Sequence, residues 1–289
     1  RALADLHSAE KLSLVALHIN HGWRETALRD QEFCAALAAT YNIPFWVEKT
    51  ADWTNAVPPA KRNSGSKEAD AREIRRAIFE HHRKLHGATY IALAHHADDQ
   101  LETFFIRLIR GANLAGLCAM QETQGATIRP LLAIAKADIL AWLAEHNQPF
   151  CTDETNESMA FLRNRIRSTL LPAFAACDSR AVVSALRTIA HLQQEDKALQ
   201  EVCAHTLQTL EGLSGWYKTK DFLACPPALR GRMLIALLIR TAQAFAPSEA
   251  FIAEIERFLS SPRGGIHIIG TTVIVEKRQS VFRLTSAQR

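Results

Sequence analysis

Histidine and carboxylate side chains are concentrated in one short segment of the chain. The segment contains His95, His96, Asp98, Asp99 and Glu102. It follows an apolar stretch typical of a β-strand and opens a helical pattern, so these residues are expected at the carboxyl end of a strand. Such a cluster can hold Mg²⁺ through carboxylate oxygens, bind a substrate ammonium or transfer a proton. Helix capping with surface charge is the structural alternative, but this density of titratable groups at a strand end favours a functional site.

A second polar segment follows another apolar run. His21 and Gly22 come directly after residues 12–20, which predict a buried parallel strand. Ligands of open α/β sheets bind where the strands end, so these two residues are further candidates for ligand binding.

Patterns typical of metal sites are otherwise weak. A histidine–aspartate pair fits a metal hydrolase, but the sequence contains no other ligand cluster. Neighbouring residues of a strand also point to opposite faces, which disfavours His95 and His96 sharing one ion. The six cysteines form no CxxC pair, so a zinc ribbon, a thioredoxin-like site or a cysteine-bound iron–sulfur cluster has no local support. Scattered cysteines are typical of small buried hydrophobes in a reducing compartment.

Basic residues cluster in two stretches, although the formal net charge is only +4. The stretches contain Arg72, Arg75 and Arg76, and Arg163, Arg165 and Arg167. Each stretch fits either a solvated helix face or a contact with phosphates or an RNA backbone. The sequence leaves both interpretations open.

The elements that position these residues alternate between strands and helices in the first part of the chain. Strands are predicted at 12–20, 45–48 and 89–94, and helices at 25–41, 67–85, before Gly111 and at 136–146. The clearest helix carries apolar residues at 101, 104, 105, 108 and 109, and Gly111 is expected to end it. This order predicts an α/β domain with a Rossmann-like parallel sheet and flanking helices.

The order of elements changes near residues 178–184. Helices predicted at 179–211, 227–245 and 248–259 are followed by a β-hairpin and one more strand. A length of 289 residues also favours two domains. We therefore predict a catalytic domain over 1–178 and a smaller, mostly helical α+β domain over 179–289. No apolar run approaches the length of a membrane span, so no membrane partner is expected.

Six segments, taken in order, resemble the tRNA(Ile)-lysidine synthases of the PP-loop ATP pyrophosphatase superfamily. They are HINHGWR (18–24), EADAREIRRAIF (68–79), LAHHADDQLETFFIRLIRGANLAGL (93–117), IRPLLAIAKADI (128–139), DETN (153–156) and RNRIRSTLLP (163–172). Each segment alone is only moderately specific. Because all six occur in the family's order, the chain is identified as similar to this family.

The resemblance implies an ATP-dependent ligase of the cytoplasm. ATP would activate the C2 carbonyl of the wobble cytidine of tRNA(Ile), which has a CAU anticodon, and form an adenylated intermediate and pyrophosphate. The amine of L-lysine would then attack C2 and release AMP. Mg²⁺ would offset the triphosphate charge, and carboxylates would bind the lysine ammonium. The second domain would bind the tRNA, and a homodimer is compatible with the sequence.

The resemblance also implies roles for individual residues. Those at the reaction centre are His95, Asp98, Asp99 and Arg72, with Asp98 and Asp99 also as ligands of Mg²⁺. Those on the nucleotide side are His21, Gly22, His96 and Glu102. Those that contact tRNA are Arg163, Asn164 and Arg167, with Asp153 and Asn156 in the loop that orders them. Which aspartate meets lysine and which meets Mg²⁺ stays open.

The chain departs from the family at its most diagnostic motif. The phosphate-binding S-G-G-x-D-S is absent, so we expect the first strand and its loop to be missing from this sequence. A non-catalytic tRNA-binding remnant is therefore one alternative. It is disfavoured because His95, His96, Asp98 and Asp99 have no evident structural need. Another PP-loop tRNA-modifying enzyme, such as a cytidine thiolase, is the second alternative, although such enzymes usually carry CxxC pairs.

Overall fold

A computed structural model describes most of the chain. The described residues are 1–9, 11–22, 26–56, 67–151, 161–241, 247–270 and 273–286, without the side chains of 56 and 67–69. Predictions for Trp23, Arg24, Asp153 and Asn156 lie outside these residues. The chain divides into two compact units, Arg1–Ala112 with Ala119–Arg187 and Asn113–Cys118 with Thr188–Arg289.

Parallel strand pairs organise the first unit. Its strands are β1 (Ala16–Asn20), β2 (Phe45–Lys49), β3 (Ile91–Ala92), β4 (Thr123–Gln124) and β5 (Thr127–Ile128). β1 pairs in parallel with β2 and β3 in parallel with β5, while β4 joins β5 antiparallel. The predicted α/β class with parallel strands is confirmed. The β4–β5 hairpin was not predicted, because strands of two residues are too short to show an alternating pattern.

Helices and helical turns lie between and after these strands in the chain. In chain order they are α1 (Ala2–Ser8), α2 (Ala27–Thr40), a 3₁₀ segment (Thr50–Ala56), α3 (Lys67–Leu85), α4 (Ala97–Ile109), α5 (Leu114–Leu117), α6 (Lys136–Glu145), α7 (Leu162–Arg165), a π-helix (Ile166–Leu170), α8 (Leu171–Cys177) and α9 (Ala181–Leu210). α5 and the part of α9 from Thr188 onward belong to the second unit. α3 buries Ile74 and Ile78 against Leu17 and Ile19 of β1. α4 ends as predicted, since Gly111 has a φ of +71° and the next N–H, of Ala112, donates to the Arg107 carbonyl at 3.0 Å.

The second unit combines helices with an antiparallel sheet, as predicted. Its further elements are β6 (Tyr217–Lys218), α10 (Thr219–Ala224), α11 (Pro227–Arg240), α12 (Glu249–Ser260), β7 (Gly265–Ile269), β8 (Val273–Arg278) and β9 (Val281–Ser286). The sheet order is β6-β9-β8-β7. Phe222, Leu234, Ile255 and Phe282 are fully buried in one core between the sheet and its helices. β6 was not predicted, and its Tyr217 belongs to this core.

Within the described ranges, no single helix is both long and apolar enough to cross a bilayer, and one bent helix pair meets that test by length and composition only.

Candidate active site

The histidine–carboxylate segment forms the start of α4 and connects it to α6. The His96 backbone N–H donates to Asp99 Oδ2 at 3.0 Å, which caps the first turn of α4. Asp98 Oδ2 accepts from the Lys136 backbone N–H at 2.9 Å, at the first residue of α6. The His96 ring lies between the two carboxylates, 3.5 Å from Asp98 Oδ2 and 3.4 Å from Asp99 Oδ2. The expectation that these aspartates lack a structural need is therefore wrong, because each one caps a helix.

Two carboxylates of this segment, Asp99 and Glu102, form a network with Arg163 and Arg167. We call these four side chains the acid–arginine network. Glu102 is fully buried. Its Oε2 lies 2.7 Å from Arg163 Nε and its Oε1 lies 2.6 Å from Arg167 Nε. Arg163 Nη2 also reaches Asp99 Oδ1 at 3.3 Å. The Glu102 carboxylate raises the pKa of the Arg167 guanidinium. A buried carboxylate needs such partners, and Arg163 and Arg167 supply them to Glu102.

A change in helix winding accompanies the two arginines. Arg163 lies in α7, and Arg167 lies in the π-helix Ile166–Leu170. π turns are rare and occur frequently at functional sites. Asn164 is only 8% exposed, and its carbonyl accepts from Ser168 Oγ at 2.8 Å. Arg163 and Arg167 thus pair with carboxylates of the site, and Asn164 is buried. Contact of these three residues with tRNA stays a prediction.

His95 follows β3 and is partly buried. Burial lowers its pKa, Asp99 opposes that shift, and Arg129, Arg163 and Arg75 add to it. A lowered pKa keeps the imidazole neutral near pH 7. Its Nδ1 atom is buried, and no hydrogen-bond partner for it occurs among the described residues. His95 is therefore suited to accept a proton.

Arg129 is a site residue that the sequence analysis did not single out. The Leu93 N–H donates to the Ile128 carbonyl at 2.9 Å, so Arg129 leaves β5 beside the chain that leads from β3 to His95. Its Nη1 donates to the Gln121 carbonyl at 2.7 Å and its Nη2 lies 3.5 Å from Gln124 Oε1. The position of Arg129 at a strand end follows from β5, which was not predicted. The motif IRPLL (128–132) contains Arg129, but its residue types do not indicate a strand end.

The arginines of α3 approach the site to different extents. Arg75 is close enough to His95 to contribute to the lowering of its pKa. Burial lowers the pKa of Arg129, and the charge of Arg76 adds to that shift. The Arg76 side chain also pairs with Glu73 at 3.1 Å. Arg72, the residue predicted for the reaction centre, is exposed. Its catalytic role stays a prediction, and the structure adds Arg75 and Arg76 to the site's electrostatics.

His21 and Gly22 line a cavity of about 290 Å³ at the end of β1, together with Lys49 of β2. Gly22 has a φ of +65°, which favours glycine, and its N–H donates to Asn20 Oδ1 at 2.8 Å. The cavity is near the lower limit for small-molecule sites, and Lys49 supplies a cation there. Binding of a nucleotide by His21 and Gly22 stays a prediction.

The carboxylates differ in their suitability for Mg²⁺. The described residues contain no group of three or more histidine, cysteine or acidic side chains that could hold a metal ion. Asp99 has both oxygens engaged, one by the His96 N–H and one by Arg163. The Asp98 side chain is 43% exposed. Mg²⁺ commonly needs one or two protein carboxylates along with substrate phosphates and water, so Asp98 fits this requirement better than Asp99.

Comparisons with known proteins identify the family of the chain. A PP-loop domain matches residues 1–174. The chain is similar to the tRNA(Ile)-lysidine synthase of Geobacter sulfurreducens, with 34% identity over 276 residues, 89% of this chain and 56% of the relative. It is 36% identical to the same enzyme of Parabacteroides distasonis over 179 residues, 62% of this chain and 40% of the relative. It is 36% identical to the tRNA(Ile)-lysidine synthase of Thermotoga maritima over 163 residues, which are 56% of this chain and 38% of the relative. The chain thus spans about half the length of these relatives or less.

A solved structure shares the fold. The U34-tRNA thiolase NcsA from Methanococcus maripaludis, with its 4Fe-4S cluster, matches with a TM-score of 0.54 and 16% identity, over 67% of this chain and 66% of that chain. At this identity the match shows a common fold only.

Proposed function

The chain belongs to the PP-loop domain family, and from this premise we propose that it uses ATP to ligate L-lysine to C2 of the wobble cytidine of tRNA(Ile) with a CAU anticodon. The acid–arginine network carries the proposal. It lies just past the carboxyl end of β3, where open α/β sheets bind ligands. Because it contains two carboxylates and two guanidinium groups, it offers both signs of charge to a zwitterionic amino acid. The proposed setting is the cytoplasm.

The proposed reaction has two steps. The cytidine C2 carbonyl oxygen attacks the α-phosphorus of ATP, the bond to the β-phosphate oxygen breaks, and pyrophosphate leaves. The lysine amine nitrogen then attacks C2, the C2–O bond breaks, and AMP leaves. The amine loses a proton in the second step, so the site needs a base beside the attacking nitrogen.

His95 is our candidate for that base. Its lowered pKa leaves the imidazole neutral at physiological pH, and its buried Nδ1 has no partner among the described residues. Asp99 lies close enough to stabilise the imidazolium that forms. The reaction-centre role of His95 and Asp99 is supported by this proximity.

The amino acid is proposed to bind through the acid–arginine network. Asp99 is more accessible than Glu102, with a side chain 13% exposed against 0%. Its carboxylate is therefore better placed to meet an ammonium, while Arg163 and Arg167, each about one third exposed, can meet the carboxylate of the amino acid. Glu102 then keeps the two guanidinium groups in position.

ATP and Mg²⁺ are proposed as cofactors. Asp98 would hold the ion, which offsets phosphate charge when bound. The cavity of His21, Gly22 and Lys49 is proposed for the nucleotide. His96 lies between the Asp98 and Asp99 carboxylates and is proposed to orient them. The second unit is proposed to bind the tRNA.

One assay tests the function against its alternatives. The protein is incubated with ATP, L-lysine and a tRNA(Ile) transcript, with a tRNA(Met) transcript as control, and the tRNA nucleosides, AMP and pyrophosphate are quantified. Lysidine in tRNA(Ile) with matching AMP supports the proposal. A thiolated nucleoside indicates a thiolase, and tRNA binding without AMP indicates a non-catalytic binder.

A matched pair of variants connects the assay to the site. Asp99→Asn removes the proposed ammonium contact while an amide oxygen can still cap α4, so lysidine formation should be lost with little change in stability. Asp138→Asn makes the same change at an exposed position in the first turn of α6 and should be neutral. An Asp99→Asn protein of normal activity would remove Asp99 from the reaction centre.

A further inference from the structure

We propose that Arg129 binds a phosphate group of the nucleotide, as an anion site additional to the β1 cavity. The inference rests on the proposed use of ATP and assigns a residue that neither the sequence motifs nor the family match singled out.

The place of Arg129 follows from strand pairing. β3 and β5 are parallel, with Ala92 opposite Ile128. Arg129 and His95 therefore leave neighbouring strands at the same edge of the sheet. This is the edge at which the side chains of an open α/β sheet meet a ligand.

Within the described residues, Arg129 is buried with neutral partners only. It is 8% exposed, and its guanidinium meets two neutral oxygens, the Gln121 carbonyl and Gln124 Oε1. Its Nε is buried with no acceptor, and no ion pair of Arg129 occurs within the described part of the chain. Burying a guanidinium with only neutral partners is costly. A bound anion would offset that cost.

Several arginine side chains lie near His95 and Arg129. Arg76 lies near enough to Arg129 to act on it, and Arg75, Arg129 and Arg163 all act on His95. Asp99, the acid that acts on His95, already holds Arg163 at 3.3 Å. Cations gathered at one partly buried place raise the local concentration of anions.

The depth and sign of the site select the anion. A residue this buried is reached by a small group rather than by an RNA backbone, which stays at the surface. Lysine also carries a carboxylate, but it brings ammonium groups that Arg75, Arg76 and Arg129 would repel. A phosphate oxygen of the nucleotide meets both conditions and matches guanidinium donors.

Binding of inorganic pyrophosphate and of L-lysine, measured by calorimetry on the full chain, tests the inference. Arg129→Gln should weaken pyrophosphate binding by roughly tenfold or more, the effect of losing a hydrogen bond to a charged group, and leave lysine binding unchanged. Arg129→Lys keeps the charge and should show an intermediate loss. Gln124→Ala removes a hairpin contact of Arg129 without altering charge and should bind pyrophosphate like the unaltered chain.

Three results would overturn the inference. Unchanged pyrophosphate affinity in a folded Arg129→Gln or Arg129→Lys protein does so, as does a loss that Gln124→Ala reproduces, because the role is then structural. Weaker lysine binding in place of weaker pyrophosphate binding assigns Arg129 to the amino acid instead. If Arg129→Gln fails to fold, Arg129→Lys decides alone. Pyrophosphate binding that depends on Arg129 in a protein that forms no lysidine would uphold this inference while rejecting the proposed function.

Discussion

The Asp98 carboxylate accepts a hydrogen bond at 2.9 Å from the Lys136 backbone N–H, so a side chain of α4 caps the first turn of α6. Ala135, the residue before α6, supplies no side-chain cap of its own. Asp98 is also the carboxylate that we assign to Mg²⁺. One residue thus supports both the fold and the proposed chemistry, and suitable substitutions separate the two contributions.

Substitution of Asp98 should affect stability and activity differently. Asp98→Ala removes the cap and should lower the free energy of unfolding by about 1 kcal/mol. Asp98→Asn keeps an oxygen acceptor and should lower it by a few tenths only. Because Mg²⁺ needs the charge, both variants should lose AMP formation. Urea unfolding together with the lysidine assay checks this, and a fully active Asp98→Asn protein would contradict the metal assignment.

Glu102→Gln should destabilise the first unit and abolish lysine transfer. The substitution leaves Arg163 and Arg167 without their buried counter-charge. We expect a loss of about 3 kcal/mol, the lower end for a broken buried ion pair, since the two arginine side chains are 32% and 31% exposed. The matched control is Glu145→Gln, at the exposed end of α6. Equal unfolding free energies for both variants would show that the network contributes no stability.

The stability of the protein should depend on His95 in mildly acidic solution. Burial lowers the pKa of His95 below its usual value of 6.5, so near that pH the folded chain binds fewer protons than the unfolded chain. The resulting stability is fully present above pH 6.5 and is lost as the pH falls through the lowered folded pKa. His95→Gln should therefore show a smaller drop in Tm than the unaltered chain between about pH 7.5 and about pH 5.5. His191→Gln, at an exposed site of α9, should keep the full drop. An identical drop in all three proteins would refute this linkage.

Phe282→Ala should strongly destabilise the second unit. The Phe282 side chain is fully buried, and its ring packs at 5.0 Å from Phe222 and 5.8 Å from Tyr217, measured between centroids. Truncating a buried phenylalanine costs about 3–5 kcal/mol. Ile266→Ala in β7, where the side chain is 66% exposed, should stay within about 0.5 kcal/mol. Thermal unfolding of both variants measures the difference, and similar transitions would place Phe282 outside the main core.

Local patterns in the sequence predicted the elements that carry the site. Apolar residues at helical spacing gave α4, and the position of Gly111 gave its end, because both signals arise within a few residues along the chain. The histidine–carboxylate cluster was expected after a strand, and His95 does follow β3. The family's motif order pointed to the same segments, which the PP-loop match over 1–174 includes.

The partners of those residues were decided only by the tertiary structure. Glu102 and Arg163 are 61 residues apart in the chain, and Asp98 and Lys136 are 38 apart. In a sequence, an arginine that will bind a buried glutamate looks the same as one on a solvated helix face, because charge and helical spacing do not depend on burial. Arg129 was missed for a similar reason, since the two-residue strand β5 is defined by pairing with β3 and not by its own pattern. The sequence alone therefore determined the local elements and the types of charged residue. Long-range packing determined which charges meet, and it buried Arg129 among neutral partners within the described residues.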